Sequence, residues 1–137
     1  MKISIVTACG NKKNDQPLPA WQLYKSPRIK AIYNRKGNYD MYILSAEHGL
    51  VAAEKILAPY NRIMDEKRCQ ELVPKLKEIL KNYDAVVYFK GGARSLYHKC
   101  LQQACDQCNV KLVSFGFANM GGINELQDKI KLAETGS

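Results

Sequence analysis

The order of apolar segments along the chain constrains the fold more than any other feature. Four short runs rich in Val, Ile, Tyr and Phe are predicted strands: Ile3 to Ala8, Met41 to Ser45, Ala85 to Phe89 and Lys111 to Phe115. Segments of helical periodicity separate them, as in right-handed βαβ units on a mostly parallel sheet. The runs are continuously apolar, which indicates helices on both faces. We therefore predict a three-layer α/β fold with a mostly parallel four-stranded sheet in the order 2-1-3-4, because such sheets usually grow both ways from the first strand.

Capping residues indicate where the helices begin. Ser26 followed by Pro27 is typical of a helix start, and Gly37 is placed to end that helix. Asp65 can cap the next helix, in which Pro74 is expected to cause a break.

The chain has the size of one domain. Its 137 residues and 15.5 kDa fit the usual range of about 100 to 150 residues. Residues 1–134 are expected to form this α/β domain, and Thr135-Gly136-Ser137 could be a remnant of cloning. No apolar run approaches the roughly 20 residues that cross a bilayer, and the first strand is too short for a signal-peptide core. These features predict a cytoplasmic protein without a membrane partner.

Five cysteines occur in a chain without a secretion signal, which favours free thiols over disulfides. The spacing of Cys100, Cys105 and Cys108 resembles that of iron–sulfur ligands, with Cys69 or Cys9 as a conceivable fourth. All three also lie on the apolar face of a predicted helix, where free cysteine packs as a small hydrophobe. We therefore expect no metal and no cofactor.

The charge balance points to an anionic partner. Lysine and arginine total 21 against 13 acidic residues, a formal charge of +8, and the pI is near 9.3. Polyanions such as nucleic acids are attracted to such chains. Many of the lysines lie beside acidic residues on predicted helices, where a solvated face is the simpler explanation.

Ligands of open parallel sheets bind beyond the carboxyl ends of the strands at the switch point, here between strands 1 and 3. The loops after these two strands contain glycine and cations, which suit phosphate but also occur in plain turns. Neither loop matches the Walker or the dinucleotide-binding signature. The candidate ligand-binding residues are Cys9, Gly10, Lys12 and Lys13 in the first loop, and Lys90, Gly91, Gly92 and Arg94 in the second.

Strand 2 ends in the densest group of reactive side chains. Ser45, Glu47 and His48 are the candidate catalytic residues: His48 as acid or base, Ser45 orienting a ligand, and Glu47 activating water or holding His48 in one tautomer. Equally, His48 could bridge backbone groups and Glu47 could be solvated. No nucleophile elbow of a serine hydrolase is present. After strand 4, Phe117 could stack on a flat ring or pack in the core, and Asn119 could bind the ring edge.

Three segments carry a resemblance to a known family. They are Ala20 to Pro27 (AWQLYKSP), Ile43 to Val51 (ILSAEHGLV) and Pro59-Tyr60. The chain resembles small bacterial and archaeal proteins of unassigned function that share an Ile-Leu-Ser-Ala-x-His-Gly-Leu motif. That family is similar in fold to uracil-DNA-glycosylase-like domains, including those of archaeosine synthase and the peroxide-stress protein YaaA. The resemblance implies nucleobase or nucleic-acid chemistry, although the glycosylase motif Gly-Gln-Asp-Pro-Tyr is absent.

Three functions remain open from the sequence. The first is an enzyme, of hydrolase or glycosidase type, that acts on a nucleotide or on a base in nucleic acid. The second is a non-catalytic nucleic-acid-binding module whose positive charge carries the function. The third is a subunit of a larger modification complex, in which the glycine loops contact a partner subunit.

Overall fold

A sheet with helices on both faces forms the centre of the protein in the computed structural model, which describes residues 1–10, 12–117 and 122–135. The strands are β1 Ile3–Ala8, β2 Leu18–Pro19, β3 Asp40–Ser45, β4 Gly49–Ala52, β5 Ile56–Leu57, β6 Ala85–Phe89 and β7 Lys111–Phe115. The helices are α1 Ala20–Leu23, α2 Pro27–Arg35, α3 Glu66–Leu80, α4 Ser95–Gln107 and α5 Leu126–Thr135, with a short 3₁₀ turn at Ile123–Glu125. The α/β class predicted from the sequence is confirmed.

The main sheet has five strands in the order β4-β3-β1-β6-β7, while β2 and β5 form a separate pair. Strands β3, β1, β6 and β7 are parallel, but β4 runs antiparallel to β3. The expected four-stranded sheet in the order 2-1-3-4 is therefore corrected to a mixed sheet with an added edge strand. The chain reverses after Ser45, and Gly49 pairs with Ser45 at a φ of 74° that favours glycine.

Strand β1 is central, with Thr7 opposite Ile43 of β3 and Phe89 of β6. The carboxyl ends of these three strands therefore lie at one edge of the sheet. That edge positions the loops that follow them, including Cys9 and Gly10 after β1.

Both predicted helix caps are present. The Ser26 hydroxyl accepts a hydrogen bond from the backbone N–H of Ile29, and the Asp65 carboxylate accepts one from that of Arg68. The break expected at Pro74 does not occur, since α3 is continuous from Glu66 to Leu80. Pro74 is exposed, so water can satisfy the carbonyl that loses its helical partner.

Two apolar clusters cover the faces of the sheet. One contains α1, α2 and α5 residues, and the other contains α3 and α4 residues. Cys69, Cys100 and Cys105 are buried in the second cluster, and all five cysteines are free thiols. Burial raises the pKa of the Cys105 thiol to about 12, which keeps it protonated and unreactive. Across the described ranges, no helix combines the length and apolarity that crossing a membrane requires.

Trp21, the single tryptophan, joins α1 to α2. Its ring stacks on that of Tyr33 with centroids 4.2 Å apart and an interplanar angle of 2°. Its backbone N–H donates to the carbonyl of Ala53 at 3.0 Å. These contacts fix the segment between the two helices, which contains Tyr24 and leads into Arg28.

Candidate functional site

A cavity of about 360 Å³ lies at the carboxyl end of β1, beside the loop that follows β6. Cys9, Gly10 and Lys13 line one side, Arg94 and Tyr97 line another, and residues 61–63 complete it. Three of these residues are cationic, and the described lining contains no carboxylate. The cavity is therefore suited to an anionic ligand.

The structure separates the predicted site residues into two groups. Cys9, Gly10, Lys13 and Arg94 line the cavity. Lys12, Lys90, Gly91 and Gly92 belong to the same loops but do not line it, and neither do Ser45, Glu47 and His48. Asn119 lies outside the described residues, so its predicted contact with a ring stays a prediction.

The loop after β1 is held by the segment that follows α1. The N–H of Asn14 donates to Leu23 O, and the N–H of Lys25 donates to Lys12 O, both at 2.8 Å. Within this loop the Lys13 ammonium lies 4.4 Å from the ring centroid of Tyr60. These hydrogen bonds hold the backbone on both sides of Lys13, which lines the cavity, while Lys12 is exposed.

Ser45 is completely buried, and its hydroxyl oxygen accepts two backbone hydrogen bonds. The donors are the N–H groups of Glu47 at 3.1 Å and His48 at 3.2 Å. The Ser45 hydroxyl also bonds the Tyr60 hydroxyl at 2.7 Å, and Tyr60 in turn bonds the hydroxyl of Tyr24. Ser45 therefore holds the turn and positions Tyr60.

Arg68 of α3 fixes the same turn from the other side. Its guanidinium donates to the carbonyls of Ala46 at 2.7 Å and Glu47 at 2.8 Å. The Glu47 carboxylate lies 3.7 Å from Arg62, a cavity residue that also lies 3.9 Å from Glu71. Glu47 is thus connected to the cavity through an exposed ion pair, which contributes little to stability. Arg68 was not predicted as a site residue, because its position beside this turn depends on tertiary packing.

His48 packs edge-on against the Tyr60 ring, with centroids 5.2 Å apart. Burial lowers the pKa of His48, an effect that nearby Glu47 opposes and that Lys55, Lys75 and Arg68 reinforce. Its imidazole is therefore neutral near pH 7, the state a general base requires. The other histidine, His98, bonds the Ser114 hydroxyl at 2.8 Å, and burial lowers its pKa as well.

The lowered pKa values of His48 and His98 predict that the folded protein loses stability in weak acid. In the unfolded chain both bind a proton near the ordinary value of 6.5, whereas the folded protein binds it only at lower pH. Their stabilisation is therefore complete above 6.5 and is lost as pH falls through the folded pKa values. We expect the urea midpoint to fall between pH 7.5 and 5.5. Replacing both histidines with glutamine should flatten that slope, and an equally steep slope in the double variant would contradict this origin.

Arg28, which was not predicted as a site residue, lies where β1 meets β6. Its Nη1 donates to the Thr7 hydroxyl at 2.8 Å and to the carbonyl of Ala8 at 3.0 Å. Burial lowers the pKa of this guanidinium, and no carboxylate pairs with it among the described residues. A half-buried cation without a counter-ion is costly to a protein, and such groups commonly mark ligand sites.

The glycine turn after β6 makes room for Arg28. Gly91 has a φ of 51°, and a Cβ built there would lie 2.5 Å from Cδ of Arg28 and 2.9 Å from Phe89. The next residue, Gly92, has no atom within 4 Å of such a Cβ. Nearby, the Lys90 ammonium donates to the carbonyl of Ala93 at 2.9 Å. Glycine at position 91 therefore allows the turn to pack closely against Arg28 and Phe89, and Lys90 stabilises the backbone of the turn.

Two buried tyrosines complete the surroundings of Cys9. The Cys9 thiol donates to the hydroxyl of Tyr97 at 3.4 Å. The Tyr88 hydroxyl has no hydrogen-bond partner among the described residues. Burial raises the pKa of both phenols well above the ordinary value of 10.0, so both stay protonated.

Within the described part of the chain, no three His, Cys, Asp or Glu side chains are grouped so that they could hold a metal ion. Of the three cysteines with iron–sulfur spacing, Cys100 and Cys105 are buried in the core and Cys108 donates to the carbonyl of Ala104 at 3.1 Å.

Residues 4–119 match the model of a family of unknown function, DUF6884. The chain belongs to this family. The matched range includes both sides of the cavity, from Cys9 to Tyr97, and the turn at Ser45. Comparisons with curated proteins and with solved structures gave no match.

Proposed function

We propose that this member of DUF6884 is an enzyme that acts on a nucleotide, or on a nucleobase within nucleic acid, and that it binds the ligand in the cavity. The observation that carries the proposal is the cavity itself, which lies at the switch point between β1 and β6 and combines three cations with no carboxylate in its described lining. In this proposal the fold is of the uracil-DNA-glycosylase-like kind, and the reaction is base modification or N-glycosidic chemistry.

The residues have separate roles in the proposal. Lys13 and Arg94 bind the phosphate, because both are basic side chains that line the cavity. His48 and Glu47 supply acid–base chemistry from beside the cavity. The Glu47 carboxylate pairs with the cavity residue Arg62, and neutral His48 packs against Tyr60, which precedes the lining residue Asn61. Ser45 is a positioning residue, since its buried oxygen is occupied by two backbone donors and by Tyr60.

Nucleotide binding should depend on Arg94 more than on net charge. We expect Arg94→Gln to weaken the binding of nucleoside monophosphates or oligonucleotides about tenfold or more, as the loss of a charge-assisted hydrogen bond of about 1.5 to 3 kcal/mol implies. Isothermal titration calorimetry in 150 mM salt, on the order of physiological ionic strength, measures this loss. Chromatography of the same mixtures detects turnover, which should be absent in His48→Gln.

Lys81→Gln is the matched control, because it removes the same charge from an exposed residue at the end of α3 that pairs with Glu78. Equal losses in Arg94→Gln and Lys81→Gln would contradict a specific cavity site.

Such a result would favour the second candidate, a non-catalytic nucleic-acid-binding module, which the net charge of +8 supports. Affinity for any oligonucleotide should then fall steeply with salt, by about 10³- to 10⁵-fold between 50 and 200 mM for six to ten phosphate contacts. A small-nucleotide enzyme should show a much weaker dependence.

A further inference from the structure

Buried and half-buried hydrogen-bond donors lie near Cys9 at the end of β1. Four side chains, here called the donor cluster, are Tyr24, Arg28, Tyr88 and Tyr97. Cys9 packs against both apolar clusters, of which one contains Tyr24 and the other contains Tyr88 and Tyr97. Arg28 donates to the carbonyl of the preceding residue, Ala8, so all four side chains lie around the end of β1. Cys9 and Tyr97 line the cavity, which connects the cluster to solvent.

The donors and acceptors can be assigned in the two hydrogen bonds that connect Ser45 to Tyr60 and Tyr60 to Tyr24. A hydroxyl has two acceptor positions and one proton, and both acceptor positions of Ser45 are filled by backbone N–H groups. Ser45 must therefore donate to Tyr60, and Tyr60 must donate to Tyr24. The proton of the buried Tyr24 hydroxyl is then left without an acceptor among the described residues.

The hydroxyl protons of Tyr97 and Tyr88 also have no acceptor among the described residues. Tyr97 accepts the bond from the Cys9 thiol, so its own proton is free to donate. Tyr88 is completely buried, and its hydroxyl makes no hydrogen bond within the described residues. Buried hydroxyls are normally satisfied, and an unsatisfied one costs about 1 to 3 kcal/mol.

The guanidinium of Arg28 adds a positive charge and further donors to the cluster. Only its Nη1 is bonded in the described part of the chain, which leaves the Nη2 and Nε donors. The guanidinium has no acceptor of its own. The cluster therefore has donors in excess and lacks acceptors, a state that an anionic oxygen group would complete.

We propose that the donor cluster, together with Lys13 and Arg94 of the cavity, binds a terminal phosphate of the ligand, so that the nucleotide enters the cavity with its phosphate first. This inference rests on the proposed function. A phosphate monoester has three charged oxygens to accept bonds from four donor side chains, whereas a carboxylate has two. A phosphodiester within a strand continues on both sides, and it could not place its oxygens among buried side chains.

Tyr88→Phe tests the cluster with the least disturbance to folding, because the hydroxyl that it removes makes no bond within the described residues. We expect affinity for a nucleoside 5′-monophosphate and for inorganic phosphate to fall about tenfold, as the loss of one hydrogen bond to a charged group implies. Affinity for the nucleoside should be unchanged, and the melting temperature should stay equal or rise. Tyr39→Phe is the control, since its exposed hydroxyl bonds Glu134 away from the cavity.

Further ligands separate the sources of the anion. An oligonucleotide with a 5′-phosphate that binds more tightly than its 5′-hydroxyl form would support a strand end as the source, and a stronger effect for the mononucleotide would support a free nucleotide. Acetate that competes as well as phosphate would overturn the phosphate assignment.

Different results would overturn the donor cluster and the nucleotide-binding activity. Unchanged phosphate affinity in Tyr88→Phe, with nucleotide binding by the original chain intact, would overturn the donor cluster alone. Binding of inorganic phosphate without binding of any nucleotide would support the cluster and overturn the proposed function.

Discussion

Replacing Gly91 with alanine is expected to lower the free energy of unfolding by about 2 to 4 kcal/mol and to abolish ligand binding. The left-handed φ of 51° costs a residue with a Cβ about 1 to 2 kcal/mol. The added methyl would lie 2.5 Å from Cδ of Arg28 and 2.9 Å from Phe89, and such overpacking costs about 1 to 3 kcal/mol more. Relief of the clash would displace Arg28 from the Thr7 hydroxyl and from the carbonyl of Ala8.

Urea denaturation monitored by circular dichroism measures this loss, and Gly92→Ala is its control. The control adds the same methyl to the same turn, where no atom lies within 4 Å and the φ is not left-handed. We expect Gly92→Ala to change stability by less than about 0.5 kcal/mol, as is usual for surface substitutions. Equal stability of the two variants would mean that Gly91 is not held against Arg28.

Ser45→Ala should destabilise the protein by about 2 to 4 kcal/mol. The substitution leaves the N–H groups of Glu47 and His48 without their acceptor, and it removes one partner of the Tyr60 hydroxyl. Each unsatisfied buried group costs about 1 to 3 kcal/mol, part of which water entering the turn can recover. The direction of the bonds to Tyr24 would also be lost, so phosphate affinity should fall together with stability.

Ser114→Ala is the matched control. Ser114 is half-buried and its hydroxyl bonds only the ring of His98 among the described residues, so we expect a loss near 1 kcal/mol, about the value of one hydrogen bond. Both variants are compared by denaturation and by phosphate titration. A Ser45→Ala protein of normal stability that has lost turnover would indicate a direct catalytic role instead of positioning.

The strands could be predicted from the sequence because their signal is local. The bounds of β1, β6 and β7 agree with the prediction, and β3 differs only by beginning at Asp40. Every residue of β1 and β6 is buried, as a continuous apolar run between two layers of helices predicts, whereas the edge strand β7 is only partly buried. The antiparallel β4 was missed because Gly49–Ala52 has only four residues, and because its pairing depends on the turn at Ser45 rather than on periodicity.

The site was predictable in part. Glycine and lysine after β1, and Arg94 after β6, could be placed at the cavity because parallel strands bring their carboxyl ends together. Arg28 could not, since the second residue of an amphipathic helix usually faces solvent. Tyr88 has the pattern of an ordinary strand residue. The loop that provides Arg62 has no periodicity, and tertiary contacts alone place it beside the cavity.

The stacked pair of Trp21 and Tyr33 allows ligand binding at the donor cluster to be followed by tryptophan fluorescence. Because the chain has one tryptophan, fluorescence excited at the red edge of the absorption band comes from Trp21. This residue is joined to the segment from Tyr24 to Arg28, which carries two members of the donor cluster. A ligand that rearranges the segment would shift the emission of Trp21 without any attached dye, and a Trp21→Phe protein would provide the blank for the titration.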